Sequence, residues 1–346
     1  MYDIAIIGLG PAGATLARLL DKKYKVIAID KKNDISGKCC GGLLSPDAQK
    51  ILAQFNICLP KDVLVDPQIF SVKTIDIDNQ IIKYYQRFYL NMDRKKFDNF
   101  LISLIPDNIE ICTDSICNKI EFENGVYRFI FRSKETERTE EAKIIIGAEG
   151  ANSLVRNTFY KKNKIKRYIS IQEWYKDERN SPFYSCIFDK NLTDSYCWTI
   201  SKDECLIIGG AFPDKNSQKG FEMLKEKIQN MGITFGELIK KEACLININK
   251  GISGTYTGKN GAYLIGEAAG LISPSSLEGI SYSMESAKIL AEIINQNINN
   301  ISRKYFSKTF GIRMRLLLKI IKKPFMYNRF LRMIIMKSGI KTIKCR

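Results

Sequence analysis

The sequence predicts a mixed α/β chain: a doubly wound half of the Rossmann type, an inserted antiparallel sheet, and a helical C-terminal tail. Three observations carry this. The N-terminus reads as strand, glycine-rich turn, helix and strand. Two more strands running into small-residue turns follow at 142–156 and 262–270. Short alternating strands fill the interval between them. With 346 residues, 45% of them apolar, the chain can build one large body or two closely joined domains.

The first element, "YDIAIIGLGPAGATLARLLDKKYKVIAID", opens with the apolar run Ile4, Ala5, Ile6 and Ile7, as a strand buried on both faces requires. Gly8, Gly10 and Gly13 follow as G-x-G-x-x-G. The first allows a tight turn, the second lets backbone approach a pyrophosphate, and the third lets helix pack on strand. Pro11 opens the helix, whose exposed N–H groups and dipole favour a diphosphate. Asp30 ends the second strand, where an acid can take both hydroxyls of a ribose. The second element, "AKIIIGAEGANSLVR", repeats strand, turn and helix and carries Glu149 and Arg156. The third, "AYLIGEAAG", places Glu267 at the end of a buried strand. Desolvating a carboxylate there is costly unless it is partnered, whereas it is well placed to meet ligand hydroxyls beyond the strand end. A ligand reached both by the first turn and by a strand more than 200 residues later must be long, and FAD fits.

Composition removes several chemistries. The chain has no His, which excludes His-based zinc sites, Ser-His-Asp triads and imidazole acid–base catalysis. Its ten Cys form no C-x-x-C pair, which reads as a reduced, cytoplasmic protein without a metal site. The opening lacks a basic region before its apolar run, so that run reads as a strand and not a signal peptide. The net charge of +17 is concentrated: 14 Lys/Arg and no acids lie from Ser302 onward. A nucleic-acid binder would spread its basic residues over a face interleaved with aromatics, so nucleic acid is not expected as a partner.

These motifs together, in order, resemble the geranylgeranyl reductase family, FAD enzymes with the para-hydroxybenzoate hydroxylase type of fold. The wording "GKCCGGLLSPDAQ" and "SPSSLEGISYSMESA" is similar to the bacterial CbrA-like branch of that family. The resemblance runs from Met1 to about residue 300. It implies FAD on the first turn at Gly8, Gly10, Ala12 and Gly13, with the adenosine ribose on Asp30 beside Lys31. It implies further contacts from Lys38, Cys40, Gly41 and Gly42, from Arg94 of "MDRKKFDNFL", from Glu149, from Gly266 and Glu267, and from Gly279 and Ile280. Glu149 and Glu267 stand where the family carries Asp. Each adds roughly one carbon–carbon bond, about 1.5 Å, so a carboxylate reaching a ribityl oxygen must fold back or its strand must recede.

Residues 160–256 read as the substrate domain, inserted between the two parts of the FAD-binding domain, 1–159 and 257–301. Its strands are "KRYISIQEWY", "FYSCIFD", "SYCWTIS" and "ECLIIGGAF", followed by a helix in "SQKGFEMLKEKIQNMG". Tyr196, Trp198 and Ile200 fall on one face by period-two geometry, an apolar wall for a greasy substrate or the core of a sheet. The stretch resembles the Y-x-W-x-F-P motif of geranylgeranyl reductases and also the W-x-W-x-I-P of flavin-dependent halogenases. The family implies reduction of carbon–carbon double bonds, with hydride from the flavin and a proton from elsewhere. Cys40 is a candidate donor, or a small residue fitted beside the ring. No second G-x-G-x-x-G follows a strand, so the external reductant is NAD(P)H binding transiently or a ferredoxin-type protein.

The tail, 302–346, contains "RLLLKIIKKPFMYNRFLRMIIMK", too interrupted by Lys and Arg to span a bilayer. Pro324 is expected to break it into two helical halves. Three readings stand: an amphipathic segment on an anionic membrane at the inner face, a helical pair packed on the body, or a dock for an acidic electron carrier. The expected activity is FAD-dependent reduction of an isoprenoid-like lipid. The alternatives are a flavin-dependent monooxygenase or halogenase, and a non-catalytic flavoprotein or lipid-binding protein.

Overall fold

A computed structural model describes residues 1–31, 38–160, 166–177, 181–248, 254–296 and 300–345. The chain divides into two compact units. The first comprises Met1–Gly37, Phe97–Lys166 and Asn247–Leu318, and the second Lys38–Lys96, Arg167–Ile246 and Lys319–Arg346. These bounds differ from those expected: 38–96 joins the substrate sheet, and 302–346 is divided between the units instead of standing apart.

The first unit holds an eight-stranded sheet. Tyr2–Ile7 pairs in parallel with Val26–Ile29 on one side and Thr136–Gly147 on the other, and Ala262–Leu264 pairs in parallel with Thr136–Gly147. The register sets Ile7 opposite Gly147 and Gly147 opposite Leu264, so three strands far apart in sequence end side by side. That alignment brings the three turns together. Ser115–Glu123 and Val126–Ser133 extend Thr136–Gly147 as an antiparallel meander. Ile4, Ile6, Ile145 and Leu264 are wholly buried, each contributing roughly 1.5–3 kcal/mol. The helices Pro11–Leu19 and Ile280–Asn295 pack against one another.

The second unit holds a nine-stranded sheet. Its order is Leu238–Ile248, Lys166–Lys176, Cys205–Pro213, Cys197–Lys202, Phe183–Phe188, Ile69–Asp76, Ile81–Asn91 and Thr342–Ile343, with Leu43–Leu44 on Ile81–Asn91. The four expected strands form and pair antiparallel as expected, and the sheet becomes mixed only where Phe183–Phe188 runs parallel to Ile69–Asp76, outside the expected insertion. Two distant chain segments are joined there, and no hairpin dictates the direction. The helix Ser217–Asn230 covers one face, setting Phe221, Leu224 and Ile228 against Ile171, Ile187, Cys197, Ile208 and Phe212. Alternation therefore sends Gln172, Tyr196, Trp198, Ile200, Lys202 and Gly209 to the other face.

The tail forms the helices Ile301–Lys308, Phe310–Tyr327 and Arg329–Ser338. Pro324 lies inside Phe310–Tyr327 rather than breaking it. Its ring removes one backbone donor, yet Asn328 N–H still reaches the Pro324 carbonyl, and the break falls at Asn328. The Asn328 side chain accepts from Phe330 and Leu331 N–H and so caps the next helix. Within the second unit, buried Arg332 forks onto Asp76 at 2.7 and 2.8 Å and onto Asp78 at 2.9 Å. Among the described residues, no helix is long and apolar enough to cross a membrane.

Candidate active site

In the first unit the site is built from backbone. Gly8 has φ +98°, and a Cβ there would lie 2.7 Å from the Ala148 backbone. A Cβ on Gly13 would lie 1.8 Å from the Gly8 carbonyl oxygen, so helix and turn touch directly. Around Gly10 the situation reverses: among the described residues nothing lies within 4 Å of its missing Cβ. That open approach sits at the start of Pro11–Leu19, which has no side-chain cap, with Ala12 in its first turn. Asp30 is buried and its carboxylate accepts the Leu9 N–H, tying the second strand end to the turn. Lys31, next to it, is exposed.

The two glutamates behave differently. Glu149 folds back onto its own helix, accepting from Ser153 Oγ at 2.6 Å, Leu154 N–H at 3.0 Å and Val155 N–H at 3.2 Å. Burial pushes its carboxyl above the ordinary range, and these donors offset that only in part. The extra methylene lets it cap Leu154–Phe159, a scaffold role that stands beside the cofactor contact expected of this carboxylate. Glu267 is buried and accepts the Asn247 N–H at 3.1 Å. Asn247 in turn donates to the Ala151 carbonyl at 2.9 Å, and Arg156 bridges Ala151 and Ala268. Second and third turns are thereby locked together. The Asn247 Oδ1 is buried and has no hydrogen-bond partner among the described residues, a feature the sequence did not signal. Gly266, at φ +57°, lies where a Cβ would crowd Ser283. Gly279 precedes Ile280–Asn295, a second helix start without a side-chain cap.

In the second unit, the sequence-predicted wall and the Lys38–Gly42 segment meet. Tyr196, Trp198 and Ile200 are buried on one face, with the Tyr196 and Trp198 rings 5.6 Å apart. A Cβ on Gly41 would lie 2.5 Å from Ile200 Cδ1, and one on Gly42 2.5 Å from Lys202 Nζ. Lys202 donates to Asn91 Oδ1 at 2.7 Å and to the carbonyls of Gly42 and Met92, pinning the segment to the sheet. Burial pulls its ammonium down to about 8, against nearby Cys40, Asp93 and Asp203. The sequence pattern missed Lys202, although it continues the period-two series from Ile200. Cys40 is half-buried and its Sγ accepts the Gly42 N–H at 3.4 Å. Cys39 is buried instead, where the Cys244 thiol and desolvation push it far up. Lys38 and Arg94 are half-buried, Arg94 opening the helix Arg94–Ser103.

One row of this sheet carries an unusual pair. Gln172 and Trp198 both lie opposite Gly209, on its two sides. The indole lies over Gly209, where a Cβ would fall 2.4 Å from Trp198 Nε1. Gln172 Nε2 donates to Glu242 at 2.6 Å and to the Cys40 carbonyl at 3.3 Å. Gln172 Oε1 and Trp198 Nε1 are both buried with no hydrogen-bond partner among the described residues. One acceptor and one donor on this face thus stand apart from the rule that buried polar groups are paired.

No protein-family profile matches the chain. Protein CbrA of Escherichia coli O157:H7 is 44% identical over 346 residues, covering 99% of this chain and 98% of its relative. The chain belongs to the CbrA family. Among solved structures, a geranylgeranyl bacteriochlorophyll reductase-like protein from Thermoplasma acidophilum superimposes with a TM-score of 0.79 at 20% identity, over 93% of this chain and 86% of that one. The flavin-dependent brominase Bmp2 gives 0.69 at 18% identity, over 97% and 92%. Those identities speak for the fold, which is that of FAD-binding oxidoreductases. The residues fit such a group: open space at Gly10, two uncapped helix starts, and three strand ends in register.

Proposed function

We propose that this protein is an FAD-dependent oxidoreductase that reduces carbon–carbon double bonds of an isoprenoid-like lipid. The observation that carries the reading is the Tyr196–Trp198–Ile200–Lys202 face with the Cys40–Gly42 segment packed on it. When bound, FAD supplies hydride chemistry; the chain must supply the wall, the orientation and a proton. Tyr196, Trp198 and Ile200 give an apolar wall suited to a polyene chain. Trp198 Nε1 and Gln172 Oε1 receive a hydroxyl at its head, which favours a lipid alcohol over a bare hydrocarbon. Cys40 is the proton donor in this reading, and Lys202 acts through it as a positioning residue. The electron donor is NAD(P)H or a ferredoxin-type protein.

Cys40→Ser tests the assignment. It should slow reoxidation of reduced enzyme by substrate by about 10²–10⁴-fold and spare flavin reduction. Cys39→Ser, at a thiol occupied by packing, should be nearly silent. Unchanged reoxidation in Cys40→Ser would return Cys40 to a packing role. The aromatic face also supports a second reading, monooxygenase or halogenase, in which the product carries oxygen or halogen. A third, a non-catalytic flavoprotein or lipid-binding protein, is supported if reduced flavin never turns over with any polyprenyl lipid.

A further inference from the structure

The last stretch of the second unit presents its apolar residues to solvent. Phe330 and Ile334 are 61% and 49% exposed on the helix Arg329–Ser338, one turn apart, while Arg332 and Met336 on the opposite arc are buried. The preceding helix repeats the pattern, with Ile321 and Phe325 exposed four residues apart. Ile335 and Ile340 extend it. A surface helix ordinarily turns such a stripe toward the core. Here the inward arc carries a charge, held by Asp76 and Asp78 and by the Phe188 ring 5.0 Å from the guanidinium. Arg329–Ser338 is seated firmly, so its outward stripe is not a consequence of loose packing.

Charge points to the occupant. Residues 319–346 include nine Lys/Arg and no Asp or Glu. Lys322, Arg329, Lys337 and Lys341 are exposed among the apolar side chains. A second copy of this face would set like charges against each other, which disfavours a self-complementary dimer. Large apolar groups spread along two helices, with cations interspersed, suit the headgroup–acyl boundary of an anionic bilayer. We propose that this face docks the protein on an anionic lipid surface, with Ile321, Phe325, Phe330 and Ile334 inserted and the neighbouring Lys and Arg on lipid phosphates. The docking is independent of FAD and of any substrate, and its test needs no turnover.

The full-length protein is sedimented with vesicles of phosphatidylcholine mixed with phosphatidylglycerol, and with vesicles of phosphatidylcholine alone. Binding is expected only to the anionic vesicles, falling with salt as the Debye length shrinks. Phe330→Ser with Ile334→Ser, and separately Lys322→Glu with Lys337→Glu, should each weaken it by about tenfold or more. Flavin absorbance and melting temperature should hold, since these side chains are exposed. Lys22→Glu with Lys215→Glu, equally charged but elsewhere, should bind as the unaltered protein does. Equal binding to neutral vesicles, or full binding by both pairs of variants, overturns the proposal. So does a concentration-dependent dimer that Phe330→Ser abolishes, or capture by an acidic electron-carrier protein without any vesicle binding.

Discussion

The strand ends of the first unit and the sheet face of the second solve opposite problems. At the strand ends, side chains serve the scaffold: Glu149 caps a helix, Asp30 holds Leu9, and Glu267 holds Asn247. What is left open there is backbone, around Gly10 and two helix starts. On the sheet face the backbone is closed in ladders, and what is left open is side chain, the Trp198 donor and the Gln172 acceptor. Cofactor affinity should therefore be governed by glycines, and selectivity by a handful of side chains.

The largest effect should follow from filling the first turn. Gly13→Ala would drive a Cβ into the Gly8 carbonyl, so flavin absorbance should be lost with a large fall in melting temperature. Retained flavin would mean that the helix can move off the turn, and that the glycines do not govern affinity. Next, Arg332→Met strands Asp76 and Asp78 and should cost about 3–5 kcal/mol in denaturant unfolding. The salt bridge holds Asp76 below the ordinary carboxylate range, despite burial that raises it. That stability is present above the unfolded value and lost as pH falls through the folded one. Acid unfolding of the unaltered protein should thus be steeper than that of Arg332→Met.

A change on the sheet face should split differently. Trp198→Phe removes an unpartnered donor and keeps most of the ring, so stability should hold or rise slightly. The loss should appear in KM for a hydroxyl-bearing substrate, by about 0.5–1.5 kcal/mol. Equal KM for the alcohol and its hydrocarbon analogue in both proteins would remove the hydroxyl from the account. Lys202 gives a pH signature. Its folded value lies near 8, below the ordinary value of 10.5. Its contribution is therefore present above the unfolded value and lost as pH falls through about 8, so stability should rise between those limits. Lys202→Met should flatten that rise in melting temperature against pH. The smallest effect belongs to Glu149→Gln, which should cost about 1 kcal/mol of helix capping and leave flavin affinity nearly unchanged. A large loss of flavin would return Glu149 to the ligand.

Much of the first unit was legible because its signals are local. Ile4–Ile7 and Ile144–Ile146 are continuous apolar runs, and glycine turns follow them directly. The substrate strands and their shared Tyr196–Trp198–Ile200 face were legible for the same reason. What escaped was long-range. Nothing local in Ile69–Asp76 announces a parallel partner at Phe183–Phe188, so 38–96 could not be assigned to the second unit. Nothing in the strand "ECLIIGGAF" singles out Gly209, yet it is the floor beneath the Trp198 indole. Gln172 in an alternating strand carries no mark of an unmet acceptor. The tail's basic, apolar character was plain, but not that its inward arc would be fixed by Asp76 and Asp78.

In the proposed function the first unit's backbone holds FAD, and a double bond of the lipid is reduced. Anaerobic mixing of reduced holoenzyme with a polyprenol, followed by mass spectrometry of the lipid, tests it directly. Reoxidised flavin is expected in step with a lipid that has gained two hydrogens and no oxygen, slowed in Cys40→Ser. Flavin that stays reduced under these conditions, or reoxidises only on admitting air with oxygen or halogen in the product, would contradict it.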